Sequence, residues 1–365
     1  MKIVTILGTR PEIIRLSLIM EKLDRYASRH VVVHTGQNFT RRLSDVFFEE
    51  MELRRPDYRL ADKQLSLGGQ LAAIFGGVEE ILARERPDRV LVLGDTNSAL
   101  AAVIAERMGV PVVHMEAGNR CFDLAVPEEK NRRVIDAVST INMPYTPQSK
   151  ENLLREGFPA NRIVLTGNPI REVLMRYESK IAASPILARL GLDGGEPYAV
   201  VTIHRAENVD VPARLKEILT GLNRVAETYG IRLICSVHPR TRSQLARLPD
   251  FTMNPLVEFH EPFGFFDFVR LERGAWCVLT DSGTVQEECC IFRVPTVTVR
   301  RTTERPETVD CGSNIVAGID ASRIADSVGL MTSLPRAWEC PQGYLDTDVS
   351  DKVVKFLIGG NLYVS

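Results

Sequence analysis

Residues 1–15, MKIVTILGTRPEIIR, carry the clearest indication of the fold. The first seven residues form an apolar run typical of a short buried strand, and residues 12–24 repeat apolar side chains at helical spacing. The turn Gly8-Thr9-Arg10-Pro11 lies between them. Such a corner binds phosphate in many α/β proteins, but the glycine-rich dinucleotide fingerprint and the P-loop lysine are both missing here. The stretch predicts an α/β domain whose corner carries an arginine instead.

The alternation of strand and helix recurs along the whole chain. Apolar runs predict further strands at residues 31–36, 89–95, 110–118, 141–147, 163–169, 198–205, 231–239, 256–262, 276–283, 295–300 and 314–318. Helical patterns lie between them, and this order is typical of parallel sheets covered on both faces. We therefore expect an α/β protein with two Rossmann-like, doubly wound parallel-sheet domains, residues 1–169 and 170–349, that face a central cleft.

Composition narrows the class of protein. The 365 residues are 44% hydrophobic, which is enough for two cores, and the formal net charge of −2 gives no support to nucleic-acid binding. The seven cysteines are scattered without a Cys-x-x-Cys pair, so we expect reduced thiols in a cytoplasmic protein. No apolar run approaches the roughly 20 residues of a membrane helix, and no membrane partner is expected.

Polar side chains cluster directly after the predicted strands. The clusters are Gly8 to Arg10, Gly36 to Asn38, Gly94 to Ser98, His114 to Arg120, His204 to Asn208, His238 to Arg240 and Asp281 to Thr284. The carboxyl ends of parallel strands meet at one edge of a sheet, where α/β proteins bind their ligands. One polar strand end is commonplace, but this repetition outlines a site.

Three carboxylates are candidates for acid–base chemistry. Asp95 and Glu116 follow predicted strands, and Glu128 follows Pro127 at a predicted helix start. Carboxylates held close together repel, which raises the pKa of some of them toward neutrality, as proton transfer to and from carbon requires. The alternatives are that Asp95 only caps a helix and that Glu128 only complements a helix dipole.

The stretch TDSGTVQEE, residues 280–288, predicts an anion site. Its small residues let the amides of a helix start approach an anion, with Glu287 and Glu288 in the first turn. One of these glutamates then grips ribose hydroxyls, or both only stabilise the helix dipole. No His or Cys cluster has the spacing of a zinc site.

Arg10, His204 and His238 are further candidates. The position of Arg10 between Gly8 and Pro11 favours a guanidinium aimed into the cleft, and a surface salt bridge is the alternative. The two histidines follow strands in equivalent places, where a structural role is the alternative.

Taken together, the motifs resemble one family. They are GTRPEII, TGQN, LVLGDTNS, HMEAGNR, PEEKNR, TGNP, HRAEN, TDSGTVQEE and RTTERPE. In this order and spacing they resemble the non-hydrolysing UDP-N-acetylglucosamine 2-epimerases over nearly the whole chain. The resemblance implies the GT-B fold, a homodimer, and a final helix within residues 350–365 that packs on the first domain.

The resemblance also implies a chemistry. A UDP-sugar is inverted at C2 without NAD or metal, because UDP is eliminated across C1–C2 to leave a 2-acetamidoglycal and then adds back. The implied acid–base and site-shaping residues are Asp95, Glu116, Glu128 and His204. The implied substrate-binding residues are Arg10, Ser282, Gly283 and Arg300 for the diphosphate, Glu288 for the ribose, Arg132 for orientation, and His238.

Several residues depart from the family pattern. Arg15 replaces the usual lysine, Asn38 and Thr284 replace the usual residues of two motifs, and CFDLAV occupies residues 121–126. These departures resemble the capsule and O-antigen branch, which acts on 6-deoxy sugars to make UDP-N-acetyl-L-fucosamine. Interconversion of UDP-N-acetylglucosamine and UDP-N-acetylmannosamine is the other expectation. The competing classes are a GT-B glycosyltransferase, a UDP-sugar sensor and a hydrolysing epimerase.

Overall fold

A computed structural model of the protein describes residues 1–37, 44–61 and 65–360. The chain divides into two compact units. Unit 1 comprises Met1–Arg176 with Gln342–Ser365, and unit 2 comprises Tyr177–Pro341. The C-terminal segment thus returns to the unit in which the chain begins.

Unit 1 is built from strands that alternate with helices. Its strands are β1 (Lys2–Leu7), β2 (Arg29–His34), β3 (Tyr58–Arg59), β4 (Arg89–Leu93), β5 (Val112–Met115) and β6 (Ile141–Met143). Its helices are α1 (Arg10–Tyr26), α2 (Asp45–Glu50), α3 (Leu67–Glu85), α4 (Ala101–Arg107), α5 (Pro127–Val138), α6 (Pro147–Arg155), α7 (Ile170–Arg176) and, from the C-terminal segment, α17 (Val349–Gly359). Helix α17 packs on α1.

Unit 2 repeats this plan. Its strands are β7 (Tyr198–Thr202), β8 (Arg232–Ser236), β9 (Val257–His260), β10 (Cys277–Thr280), β11 (Thr296–Thr298) and β12 (Asn314–Val316). Its helices are α8 (Glu178–Ala182), α9 (Ile186–Arg189), α10 (Ala206–Val209), α11 (Pro212–Tyr229), α12 (Pro239–Leu245), α13 (Phe265–Gly274), α14 (Gly283–Phe292), α15 (Pro306–Asp310) and α16 (Ala321–Ser333).

The two sheets share one strand order. Sheet 1 runs β3-β2-β1-β4-β5-β6 and sheet 2 runs β12-β11-β10-β7-β8-β9, with parallel pairing throughout. Numbered within its own unit, each sheet has the order 3-2-1-4-5-6 of the doubly wound fold. The order reverses between β1 and β4 in unit 1 and between β7 and β10 in unit 2. A doubly wound sheet binds its ligand at the carboxyl ends of such a pair of strands.

Each sheet is covered on both faces because successive strand residues point to opposite sides. In β7, Ala199 and Val201 join a core with α11 and α16, whereas Tyr198 and Val200 join a core with α13 and α14. The predicted α/β fold with two parallel sheets is confirmed. Among the described residues, no helix is long and apolar enough to cross a membrane.

Two details of the prediction are wrong. Residues 163–169 form no strand, because the segment makes a single bridge from Ile163 to Asn142 and then turns at Gly167, whose φ is +87°. The two-residue strand β3 was not predicted, since two residues are too few to show a period.

Candidate functional site

In unit 1, the predicted phosphate corner between β1 and α1 is filled by a side chain of the protein. The carboxylate of Glu12 accepts hydrogen bonds from the amides of Gly8 (2.9 Å) and Thr9 (2.7 Å) and from the Thr9 hydroxyl (2.8 Å). Its other oxygen accepts from the hydroxyl of Thr96, 2.8 Å away, at the end of β4. Glu12 therefore ties together the two strand ends at which the order of sheet 1 reverses.

The arrangement around Glu12 is a capping box, the motif in which a helix-start threonine and a glutamate three residues later bond each other's backbone. Burial raises the pKa of Glu12 to about 7, against the hydrogen bonds from Thr9, Gly8 and Thr96, which lower it. A Cβ on Gly8 would overlap the hydroxyl oxygens of Thr35 and Ser98, so the turn is closely packed. The corner amides that a phosphate would use are thus already satisfied.

Asp95 follows β4 and is held by two residues of α5. The guanidinium of Arg132 donates to the Asp95 carboxylate, and the amide of Asn131 donates to the Asp95 carbonyl oxygen at 3.0 Å. Arg132 is 2% exposed and also donates to the buried carboxylate of Glu129 at 2.6 Å. Asp95 does not cap a helix, since α4 begins at Ala101. Arg132 and Asp95, both predicted site residues, are therefore in contact.

Glu116 follows β5 and pairs with a residue that was noted only as a departure from the family pattern. The guanidinium of Arg15, on α1, donates to the Glu116 carboxylate, and both side chains are buried. Glu116 has a φ of +66°, a left-handed conformation that is uncommon outside glycine and is found at functional sites. A Cβ on Gly94 would lie 3.8 Å from a Glu116 carboxylate oxygen, which places Glu116 beside the end of β4.

Glu128 and Arg10 complete the predicted set in unit 1. Glu128 is half-buried in the first turn of α5, and the four-residue spacing puts it on the same face as Arg132. Arg10 is half-buried at the start of α1, and its guanidinium lies 5.7 Å from the ring centre of Phe47.

His114 is a scaffold residue rather than a strand-end group. It lies within β5 and is fully buried, with one ring nitrogen 2.9 Å from Asp136 and the other 2.8 Å from the carbonyl oxygen of Gly94. Asp136 also accepts from the amide of Gly118. These contacts fix the backbone on either side of Asp95 and Glu116.

In unit 2, Asp281 ties together the strand ends at which the order of sheet 2 reverses. It follows β10 and accepts hydrogen bonds from the amides of His204 (3.0 Å) and Arg205 (2.9 Å), which follow β7, and from the side chain of Asn208 (3.1 Å). Burial raises the pKa of Asp281, against the lowering effect of these contacts with Arg205, His204 and Asn208. The sequence alone indicates Asp281 only as a strand-end residue.

A buried network of charges lies beside α14. Glu304 accepts from Arg205 at 3.0 Å and from Arg300 at 2.7 Å, and Arg300 lies 3.7 Å from Glu207. A Cβ on Gly283 would come within 2.8 Å of a Glu304 oxygen, so the glycine allows this close approach. Glu304 therefore contacts both Gly283 and Arg300, which are predicted site residues. Glu304 itself was missed, although it lies in the motif RTTERPE.

The start of α14 differs from its prediction in one respect. Ser282 is the N-cap, but its side chain makes no capping hydrogen bond in the described part of the chain, and its amide donates to the Thr280 hydroxyl at 3.0 Å. Glu287 and Glu288 lie in the second turn and not the first, because the helix begins at Gly283. Both are buried, and Glu287 pairs with Arg305, so stabilisation of the helix dipole is wrong as an interpretation of this pair.

The two histidines lie side by side. The ring centres of His204 and His238 are 6.1 Å apart, and both side chains are half-buried. A ring nitrogen of His204 is 3.2 Å from the Asp281 carboxylate, and a ring nitrogen of His238 accepts from the amide of Arg240 at 3.2 Å, which caps α12.

The residues that sequence reasoning missed differ in the signal that the sequence offered for them. Glu12 carried a signal, since Thr9 and Glu12 have capping-box spacing, whereas Arg15 and Glu304 became visible only through their partners.

Among the residues that the structure describes, no group of three or more His, Cys, Asp and Glu side chains has the geometry to hold a metal ion.

Comparison with known sequences identifies the relatives of the chain. The family model Epimerase_2, described as UDP-N-acetylglucosamine 2-epimerase, matches residues 21–358. The UDP-N-acetylglucosamine 2-epimerase of Methanocaldococcus jannaschii is 39% identical over 99% of this chain and 100% of its own. The UDP-2,3-diacetamido-2,3-dideoxy-D-glucuronate 2-epimerase of Pseudomonas aeruginosa is 37% identical over 90% of this chain and 91% of its own.

Solved structures agree with this result. The crystal structure of the M. jannaschii enzyme in complex with UDP-GlcNAc and UDP superposes with a TM-score of 0.94 at 37% identity, covering 99% of this chain and 100% of that one. The lipopolysaccharide glycosyltransferase WaaG matches with a TM-score of 0.62 at 13% identity over 99% of this chain and 100% of its own, which is a likeness of fold alone.

Proposed function

The chain belongs to the UDP-N-acetylglucosamine 2-epimerase family, and from that premise we propose that it inverts C2 of a UDP-N-acetylhexosamine without hydrolysing it. The C2 proton is removed and the C1–O bond to UDP breaks, so that a 2-acetamidoglycal with a C1–C2 double bond forms. A proton is then delivered to the opposite face of C2, and UDP adds back to C1. The bond to UDP breaks and re-forms, so no nucleotide is consumed.

The observation that carries the proposal is the pair of arginine-held carboxylates in unit 1. Asp95 is held by Arg132, and Glu116 is held by Arg15. A buried guanidinium fixes the orientation of a carboxylate, which is what proton transfer at carbon demands of an acid or a base. Glu128 shares the Arg132 face of α5 and is the third group of this set. We assign Asp95, Glu116 and Glu128 to proton transfer at C2.

We assign the nucleotide to unit 2. Ser282 and the start of α14 provide backbone amides, and the helix has no acidic residue in its first turn that would repel a phosphate. The buried Nη2 of Arg300 has no hydrogen-bond partner among the described residues, so it is a donor for a diphosphate oxygen. We assign buried Glu288 to the ribose hydroxyls, Arg10 to the diphosphate and His238 to the substrate, and we keep His204 with the acid–base and site-shaping residues.

The filled corner of unit 1 refines the role of Arg10. Because Glu12 occupies the amides of Gly8 and Thr9, a phosphate near this corner meets the arginine side chain and not the backbone. An arginine is always charged and bidentate, so it suits a diphosphate that leaves and returns.

The proposed substrate is the 6-deoxy sugar UDP-2-acetamido-2,6-dideoxy-L-talose, with UDP-N-acetyl-L-fucosamine as product. Thr284 and residues 121–126 support it, and Asn38, another of the departures, lies outside the described residues. The P. aeruginosa relative is named for a sugar that differs from N-acetylglucosamine elsewhere on the ring, which supports variation away from C2 within the family. A site that hydrogen-bonds the 6-hydroxyl discriminates strongly against a sugar that lacks it. A higher kcat/KM for UDP-N-acetylglucosamine would therefore overturn the proposed 6-deoxy substrate and leave the proposed reaction at C2 intact.

A proton NMR time course tests the reaction. The full chain is incubated with each candidate UDP-sugar, without an acceptor and without added metal or nicotinamide. We expect the C2 epimer to appear with UDP still attached. No change without an acceptor would indicate a glycosyltransferase or a sensor, and release of the free epimerised sugar would indicate a hydrolysing enzyme.

A further inference from the structure

Three of the seven cysteines lie together in unit 2. Cys290 is fully buried on α14, and Cys311 directly follows α15 and is half-buried. Their sulfur atoms are 3.8 Å apart, which is van der Waals contact. The sulfur of Cys340 lies 3.5 Å from the carbonyl oxygen of Cys290. The reaction proposed above uses none of these thiols.

We propose that Cys290 and Cys311 form a reversible disulfide when the protein meets hydrogen peroxide. The Cys311 thiolate attacks one peroxide oxygen, the O–O bond breaks, and a sulfenic acid and one water form. The Cys290 sulfur then attacks the Cys311 sulfur, a second water leaves, and the S–S bond forms. Two thiols are oxidised, one peroxide is reduced to two waters, and a dithiol reductant reverses the change.

The two thiols are suited to different steps. Hydrogen bonding with the Cys290 thiol lowers the pKa of Cys311, against the opposing effect of burial. The same contact, the neighbouring Cys340 thiol and burial raise the pKa of Cys290. Thiolates are the nucleophiles, and a half-buried thiolate is within reach of a small oxidant, so Cys311 reacts first. Buried Cys290 is then the resolving thiol.

The geometry needs a small movement. A disulfide has an S–S distance of about 2.05 Å, so the sulfur atoms must approach from 3.8 Å. Cys290 is fixed within a ten-residue helix, whereas Cys311 ends the five-residue helix α15. The segment around Cys311 is therefore the part that moves.

This movement reaches the start of α14 through a chain of hydrogen bonds. The Cys311 thiol lies 3.4 Å from the carbonyl oxygen of Thr308, and the Thr308 hydroxyl accepts from Asn314 at 3.2 Å. Asn314 donates to the side chain of Gln286 at 3.1 Å, and Gln286 donates to the carbonyl oxygen of Ser282 at 3.3 Å. Formation of the disulfide therefore gives the segment around Cys311 a second conformation, and these hydrogen bonds connect that segment to Ser282. Oxidation to the disulfide weakens the binding of UDP. This effect rests on the proposed function, in which Ser282 holds the diphosphate.

The first test is a map of the disulfide. The full chain is treated with hydrogen peroxide, its free thiols are blocked, and peptides are analysed by mass spectrometry without reduction. We expect a Cys290–Cys311 peptide that has lost two hydrogen atoms and that a dithiol reductant restores. C311S abolishes this peptide, and the matched control C340S retains it.

Two results would overturn the disulfide: peroxide-treated protein that keeps both thiols, or a bond from Cys340 to either partner. Calorimetry with UDP on oxidised and reduced protein tests the coupling. We expect weaker binding by the oxidised form, recovery on reduction, and no effect of peroxide on C311S. An unchanged Kd in protein that contains the disulfide would overturn the coupling alone. Reduced protein that does not bind UDP would instead contradict the proposed function.

Discussion

The two units use the same corner of the same fold in opposite ways. In each, a buried carboxylate joins the two strand ends at which the sheet order reverses: Glu12 in unit 1 and Asp281 in unit 2. Glu12 lies on helix α1, and its carboxylate accepts hydrogen bonds from the amides at the N-terminus of that helix. Asp281 comes from the strand and accepts from the segment that follows the neighbouring strand, so the amides at the start of α14 receive no carboxylate from their own first turn.

We propose that this difference separates phosphate binding from proton transfer. A corner whose amides are filled cannot hold a phosphate through its backbone, and unit 1 instead presents arginine-held carboxylates at the ends of β4 and β5. Unit 2 keeps the backbone corner and adds the buried Arg300. We therefore assign proton transfer to residues of unit 1 and nucleotide binding to residues of unit 2.

The largest expected effect is on turnover and comes from unit 1. Glu128→Gln preserves the size of the side chain but removes its capacity for proton transfer, and we expect kcat to fall by about 10²- to 10⁴-fold. The UDP dissociation constant stays unchanged, because Glu128 is assigned to the sugar. Steady-state kinetics and calorimetry on one preparation measure both quantities.

The matched control is Lys130→Gln, an exposed position on the same helix, which keeps full activity. A fully active Glu128→Gln enzyme would return Glu128 to the role of an N-terminal helix charge.

The next effect is on stability and comes from the filled corner. Because the pKa of Glu12 is about 7 in the folded protein and 4.5 for an ordinary glutamate, the folded state binds the proton more tightly. This contribution is fully present below pH 4.5 and is lost as the pH rises through 7. The free energy of unfolding therefore falls by about 3 kcal/mol over that range.

Glu12→Gln cannot titrate and removes this part of the pH dependence. Urea unfolding at pH 5 and pH 8, followed by circular dichroism, compares it with wild type and with Glu79→Gln, an exposed position on α3. If the free energy of unfolding had the same pH dependence in all three proteins, titration of Glu12 would not contribute to stability.

The smallest effect is on nucleotide binding and comes from unit 2. Glu288→Ala removes a buried acceptor that we assign to the ribose, and a hydrogen bond to a charged group contributes about 1.5–3 kcal/mol. We expect UDP to bind roughly 10- to 150-fold more weakly. Calorimetry measures the change, and circular dichroism checks that the variant folds.

Glu227→Ala, an exposed glutamate on α11, is the control for Glu288→Ala and binds UDP as wild type does. If Glu288→Ala also kept the wild-type dissociation constant, Glu288 would be a structural residue of α14 and the nucleotide assignment would lose its ribose contact.

Local patterns in the sequence were enough to predict the fold. Strand, turn and helix recur with clear periods, and the polar groups after each strand follow from parallel pairing. The helix that begins at Pro127 was visible because proline favours the first helical position. The same local reasoning missed β3 and placed Glu287 one turn too early, because element boundaries depend on a few residues.

The site was harder to predict because its contacts are long-range. Arg15 and Glu116 are 101 residues apart in sequence, and Arg205 and Glu304 are 99 apart. No local period indicates which arginine a buried carboxylate will meet, because the packing of the whole unit decides it. Glu12 is the exception, since its capping-box spacing was present in the opening stretch.

We propose that the carboxylates of Asp95, Glu116 and Glu128 move the C2 proton of the sugar. Turnover in D₂O, with no metal or nicotinamide added, tests it most directly by mass spectrometry of the product. A proton taken by a carboxylate exchanges with solvent before it returns, so we expect deuterium at C2 of the epimerised UDP-sugar. Product formed at full rate without deuterium at C2 would contradict it and indicate a route in which that proton never leaves for solvent.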